Sequence, residues 1–312
     1  MSGTSARRAR RGEMRATLAP PRDVQPAFRW PWRDRAGRFS PLGLSVLIAL
    51  LSPGAVLLAM LADGALGAEP WKAATREAGA HALHILLISL AMTPLRFVAD
   101  WPKALTLRRM IGLGALGYAV LHLTLYSGHL NWDLLKVGGE IALRAYLTLG
   151  FAVLVGLVVL GWTSTDGWQR QLGPRWKKLH RWVYLLAAGG VLHAFLQSKA
   201  NADPAAITAG VFLWLMLWRT LPGRWRADGL GLVALAVVAA LATAMVEFAW
   251  YAAATKLPAS RILAANLALD AGLRPAQWIL LAGLCLAPLP WLRRVTRRAR
   301  ATRRPPRWPS CA

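Results

Sequence analysis

Three of the six histidines in this 312-residue chain stand inside long apolar stretches, and their spacing is suited to ligating a metal. His180 and His193 are thirteen residues apart in one such stretch, and His122 lies mid-way along another. An imidazole gains nothing by facing hydrocarbon, where an unpaired polar group costs several kcal/mol, so intramembrane histidines are functional candidates. Histidine nitrogens from two helices are what a transmembrane b-type cytochrome needs to hold haem iron. Along one helix, His193 sits about 20 Å beyond His180 and about 140° around the axis. His122 lies thirteen residues beyond Arg109, on a stretch running in the same direction, so its depth matches His193 rather than His180. The spacing therefore predicts one haem held axially by His122 and His193. His180 is then a ligand to a second haem with a weak or non-histidine partner, a contact to a propionate or quinone, or a plain interfacial residue. A hydrogen-bonded histidine pair without haem, or a proton relay in a transporter, is the competing reading.

The other histidines carry less. His81 reads as an interface residue, His84 is open as a ligand or propionate contact, and His129 follows Ser127-Gly128 as a loop residue past a helix end. Arg108, Arg109 and Arg175 share the depth of His180, and guanidinium groups there suit propionates or a flavin phosphate. Gly112, Gly114 and Gly117 match the dinucleotide fingerprint, but no strand precedes them. Small residues there instead allow close helix approach or leave room for a flat macrocycle. No Ser/His/Asp grouping, Cys/His cluster or soluble dinucleotide domain offers a catalytic centre. The chain reads as a redox subunit without catalytic residues for substrate chemistry. Cys285 and Cys311 read as a core thiol and a tail thiol.

These residues have to be positioned by helices. The chain is 56% hydrophobic and 17% charged. Apolar runs long enough to cross about 30 Å of hydrocarbon recur near 43–62, 79–97, 110–128, 142–162, 179–197, 206–221, 229–254 and 276–292. An all-α, polytopic membrane protein of about eight spans follows. The net charge of +24 is concentrated at the ends and in alternate loops. Ten arginines fall in residues 1–38 and eight in Arg293–Arg307. That is the positive-inside pattern, which predicts both termini cytoplasmic and arginine clusters against anionic lipid. No nucleic-acid motif accompanies the charge, so nucleic acid is not an expected partner. The organisation expected is a disordered basic arm (1–40), a haem-binding transmembrane domain (41–222), an additional pair of spans (223–292) and a basic tail (293–312). The N-terminus lacks the form of a cleavable signal.

At this level of detail the chain resembles a known family. The resembling residues are Leu66-Gly-Ala-Glu-Pro70, Thr93-Pro-Leu-Arg96, Arg108-Arg-Met-Ile-Gly-Leu113 and Leu121-His-Leu123. They continue through Ala145-Tyr-Leu-Thr-Leu-Gly150, Thr163-Ser164, Leu172-Gly-Pro-Arg-Trp-Lys-Lys-Leu-His-Arg-Trp-Val-Tyr184 and Leu192-His193. Together they resemble the MsrQ or YedZ family, the haem-binding membrane subunits of bacterial periplasmic methionine sulfoxide reductase systems, within the ferric-reductase-like transmembrane cytochromes. The resemblance implies that His122, His180 and His193 fill haem-associated positions, with haem b and also flavin mononucleotide (FMN) as cofactors. It implies location in the bacterial inner membrane. It also implies a periplasmic molybdopterin-containing partner that reduces methionine sulfoxide, and a donor that is either the quinone pool or a cytosolic flavin reductase. Residues 229–292 and both basic ends lie outside the match, and His84 departs from the expected basic or apolar residue. The rivals are a stand-alone transmembrane metal or quinone reductase, a haem-free histidine transporter, and a lipid-gripping scaffold.

Overall fold

The computed structural model describes residues 32–33, 37–198, 201–268 and 272–302. Most of the expected disordered arm and the last ten residues of the arginine-rich tail lie outside them. The described residues up to Ser45 and those from Val46 onward fall into two compact units. In the first, Arg33 and Phe39 make an isolated antiparallel bridge, and the Ser40 hydroxyl accepts from the Gly43 N–H as a helix begins at Pro41.

Everything else among the described residues is helix and turn. The long helices are α1 (Pro41–Ala62), α2 (Pro70–Val98), α3 (Ala104–His129) and α5 (Ala145–Trp162), with the short α4 (Leu134–Leu143) before α5. Next come α6 (Asp166–Leu172), α7 (Pro174–His180), α8 (Val183–Gln197), α9 (Asp203–Thr220) and α10 (Gly229–Ala254). The series closes with α11 (Ala259–Leu267), α12 (Pro275–Leu286) and α13 (Leu289–Thr302). Seven stretches of described helix are long and apolar enough to cross a membrane, with α7–α8 counted as one and α12 continued to Arg293. The remaining expected span, 206–221, forms α9, whose ends carry Asp203 and Arg219.

Four helices close a ring. α2 packs on α3, α3 on α5, α5 on α8, and α8 back on α2. Within this ring α3 and α8 face each other across the centre. α9 joins the ring through α2 and α8, and packs with α10 and α12, while α11 rests on α10 and α12. Small residues allow these approaches: Ala202, Ala205, Ala206 and Ala209 let Val191, Phe195 and Tyr251 meet in one apolar cluster.

Two prolines inside helices acquire partners from neighbouring helices. Pro53 stands inside α1, and the Tyr118 hydroxyl of α3 accepts from Gly54 N–H at 2.6 Å while donating to the Leu50 carbonyl at 2.8 Å. It thus bridges a donor and acceptor that an unbroken helix pairs directly, a known cause of helix bending. Pro94 in α2 has no N–H to offer the Leu90 carbonyl four residues back. Arg219 of α9 supplies that donor at 2.8 Å and also holds its own Leu215 carbonyl. The Arg219 guanidinium lies 5.2 Å over the Tyr184 ring, so one side chain ties α9 to α2 and α8.

A buried polar cluster pins the far pair. Glu247 on α10 is fully buried and accepts from Arg274 at 2.5 Å and from Asn266 at 2.8 Å. Arg274 also reaches Asp203 at the start of α9 at 3.0 Å. Gln277 accepts from the Arg274 N–H and donates to the Asn266 and Ala268 carbonyls. Charges are tolerated at such depth only when paired and hydrogen-bonded.

Candidate functional site between α3 and α8

His122 and His193 meet in the centre of the four-helix ring. Their ring centroids are 6.3 Å apart and the planes cross at 86°. Each imidazole is held in the same way by the helix on its flank. His122 Nδ1 is 2.7 Å from the Thr75 carbonyl of α2, and His193 Nδ1 is 2.8 Å from the Tyr146 carbonyl of α5. A carbonyl only accepts, so both Nδ1 atoms carry the proton and both Nε2 atoms keep a free lone pair.

A glycine one turn beyond each carbonyl makes room for the ring. A Cβ at Gly79 would stand 2.8 Å from His122 Nδ1, and one at Gly150 would stand 2.7 Å from His193 Cε1. Both are closer than real Cβ contacts allow, so any larger residue would push the imidazole away. The site is thus a repeated unit, carbonyl at i and glycine at i+4 on one helix, clasping a histidine of the next.

Two imidazoles on opposite sides of one metal atom have centroids about 6 Å apart, given metal–nitrogen bonds of about 2 Å and a ring radius of about 1 Å. The observed separation fits that arrangement. Among the described residues no group of three or more His, Cys, Asp or Glu side chains converges. Two imidazoles alone leave most of a bare ion's coordination unfilled, whereas a planar macrocycle supplies four donors and needs only the axial pair.

His180 does not join this pair. It ends α7, stacked on Trp176 with centroids 3.9 Å apart. Its Nδ1 is 3.2 Å from the Trp176 carbonyl, and its Nε2 is 3.3 Å from the Ser164 hydroxyl. Arg108 lies in the first turns of α3. Arg109 pairs with Asp166 at 2.5 Å, and Arg175 is exposed on α7. The helix breaks at residues 181–182, so the angle between His180 and His193 reckoned along a continuous helix does not apply.

His81 stacks on Tyr118, centroids 5.5 Å apart, and its Nδ1 is 2.6 Å from the Glu77 carbonyl. It is thus built into the α2–α3 contact. His84 turns away from the ring toward Thr208 on α9. His129 is the last residue of α3 and is exposed. In the glycine triplet, Gly114 lies against Leu50, and Gly112 and Gly117 face open space. The triplet is mid-helix with no strand before it.

The sequence reading missed Gly79, Gly150, Thr75 and Tyr146. A faint signal exists: the histidine and the residue whose carbonyl accepts from it are 47 residues apart in both units.

The ferric reductase like transmembrane component family matches residues 78–191, a span holding Gly79, His122, Gly150 and His180. A protein of Rhodospirillum rubrum, the haem-binding subunit MsrQ of a protein-methionine-sulfoxide reductase, is 42% identical over 202 residues, covering 63% of this chain and 94% of that protein. A protein of the same description from Caulobacter vibrioides is 39% identical over 185 residues, 59% of this chain and 88% of the relative. No solved structure matches the chain. Near-complete coverage of such relatives, together with the apolar helices, shows a multi-pass membrane protein that belongs to the MsrQ family of ferric-reductase-like transmembrane proteins.

Proposed function

We propose that this chain is a haem-binding, electron-transferring membrane subunit of a protein-methionine-sulfoxide reductase system. The observation that carries the reading is the His122–His193 pair, whose Nδ1 atoms are tied to carbonyls and whose ring centroids stand at a separation suited to one metal. The MsrQ relatives, described as haem-binding subunits, support it. His122 and His193 would hold a b-type haem, whose iron would supply one-electron chemistry. The residues of the chain do the rest. Thr75 and Tyr146 fix the tautomer and aim of the imidazoles through Nδ1, the second-partner role that raises ligand basicity. Gly79 and Gly150 leave room for the rings against α2 and α5.

The opposite end of the bundle is the entry side in this proposal. His180 and Arg108 would hold a second haem or the phosphate of FMN there, with exposed Arg175 available to the same anion. The donor is quinol or a cytosolic flavin reductase, and the acceptor is a periplasmic molybdopterin-containing subunit that repairs oxidised envelope proteins. The chain would sit in the bacterial inner membrane with both termini cytoplasmic, its arginines against anionic lipid.

The test is haem content by pyridine haemochrome in detergent-purified variants. His122→Ala and His193→Ala should each remove one haem per chain, and His180→Ala should leave that haem in place. Unchanged haem content in both of the first two variants would overturn the assignment.

A further inference from the structure

The chain returns from α3 to α5 through α4, and residue counts place that short helix at depth in the bilayer. The Tyr146 carbonyl stands level with the imidazole pair, because it accepts from His193 Nδ1 at 2.8 Å. α3, by contrast, runs seven residues past His122, about 10 Å further outward. The ten residues of α4 therefore slope back inward over most of that distance. Trp71 meets Trp132 edge to face, centroids 6.1 Å apart, and lies four residues, about 6 Å, outward of Thr75, whose carbonyl holds His122. Indole rings favour the membrane interface, so this pair marks it and the last turn of α4 lies inside it. α5 requires the same. Its 18 residues rise about 27 Å, less than a hydrocarbon layer of about 30 Å, so the end of α4 has to complete the crossing.

The side chains of α4 agree with that depth. At about 100° per residue, Leu134, Leu135, Gly138, Ala142 and Leu143 cover one half of its circumference, and all five are exposed. Leu135 is 90% exposed and Leu143 87%, a face that water penalises. Val137, in the other half, is buried, and α4 packs on α5. Polar groups are met within the chain. Asp133 caps the outer end by accepting from Lys136 N–H at 3.0 Å, the Thr148 hydroxyl donates to the Ile141 carbonyl at 2.6 Å, and Arg144 pairs with Glu140 at 2.6 Å. Carbonyls at a helix end need such partners where water is absent. We propose that α4 is embedded in the leaflet on the His122–His193 side, with lipid acyl chains covering Leu134, Leu135 and Leu143. The apolar surface carries on along the chain into α5, which exposes Phe151 and Val155. A protein docked from water would need this face outside the interface, and the level of Tyr146 argues against that. Anchored in lipid, α4 also steadies His193: Arg144 ends α4 and caps α5, two residues before the carbonyl that orients the imidazole. The lipid contact stands without the cytochrome reading; its effect on haem rests on that reading.

The experiment is fluorescence quenching of the full-length protein in phosphatidylcholine vesicles. A nitrobenzoxadiazole label is attached at Leu143→Cys, Leu135→Cys or Lys136→Cys in a Cys285→Ser, Cys311→Ser background. Phosphatidylcholine with a doxyl group near the carboxyl end of its acyl chain should quench the Leu143 label more than the Lys136 label, and aqueous iodide should quench them in the reverse order. Leu135→Cys is the second site should Leu143→Cys fold poorly. Iodide quenching at both leucine positions equal to that at Lys136, with no loss of emission to doxyl lipid, would put the face in water and overturn the proposal, leaving a protein partner as its cover. In haem-loaded protein, Leu143→Asp should lower haem affinity about tenfold on dialysis, the usual loss when a ligand's orienting partner is disturbed, while Lys136→Asp retains it. Lipid quenching with haem retention unchanged in Leu143→Asp would refute the hold on His193. A protein that quenches as expected but binds no haem would refute the cytochrome reading and leave the lipid contact standing.

Discussion

His122 and His193 are held by backbone carbonyls, not by side chains that a single substitution could remove. The sensitive points are therefore the two glycines beneath them. Gly79→Val or Gly150→Val places methyl groups where an imidazole edge now lies, forcing the ring off its carbonyl. Disturbing the partners that orient a metal-bound histidine typically lowers metal affinity about 10–100-fold. Either valine variant should lose haem on dilution or dialysis, with the helical circular dichroism kept. Gly117→Val, open on every side within 4 Å, is the control and should retain haem. Equal retention in all three would show that the glycines are only a packing convenience.

At the scale of elements, the helices carry repairs that cross from one to another. Arg219 serves the carbonyl freed by Pro94, so Arg219→Ala leaves Leu90 unsatisfied at a cost of about 1–3 kcal/mol. Exposed Arg224 makes no such contact, and Arg224→Ala should leave thermal unfolding near wild type. The Glu247–Arg274 pair is more severe. Arg274→Ala strands a buried carboxylate, for which about 3–5 kcal/mol is typical. Glu247→Gln with Arg274→Gln should recover part of the loss, and failure to recover would mean the charges are not what the cluster needs. Equal distance from the basic helix ends made the His122–His193 pairing readable in the sequence. Thr75 was not readable, because apolar patterning places the second span at 79–97, whereas α2 starts at Pro70 and carries Lys72, Arg76 and Glu77 in its first turns. Hydropathy marks where lipid ends, and the helix continues past that point. Tyr118 and Arg219 were hidden for another reason: their partners are 64 to 129 residues away, and no local pattern announces them. The short α4, α6, α7 and α11 were likewise unforeseen, since periodicity is weak over ten residues or fewer.

Across the whole molecule, the charge pattern and the helix directions bear on one orientation. α3 and α8 both run toward the end where His122 and His193 lie, and Trp132 with the exposed Leu135 and Leu143 of α4 stands beyond α3. In the proposed orientation, which rests on positive-inside bias, that end would lie outside the cytoplasm and the Arg170–Arg181 segment within it. Alkaline phosphatase fused after Trp132 should be active and fused after Trp168 inactive, and the reverse pattern would invert the proposed direction of electron flow. The central claim is that His122 and His193 would together hold one haem iron. Low-temperature electron paramagnetic resonance of the ferric protein tests it most directly. Ligation by both imidazoles predicts a low-spin signal, lost in His193→Ala while protein yield is kept. A high-spin signal in the wild type, or a low-spin signal unchanged in that variant, would contradict the pairing.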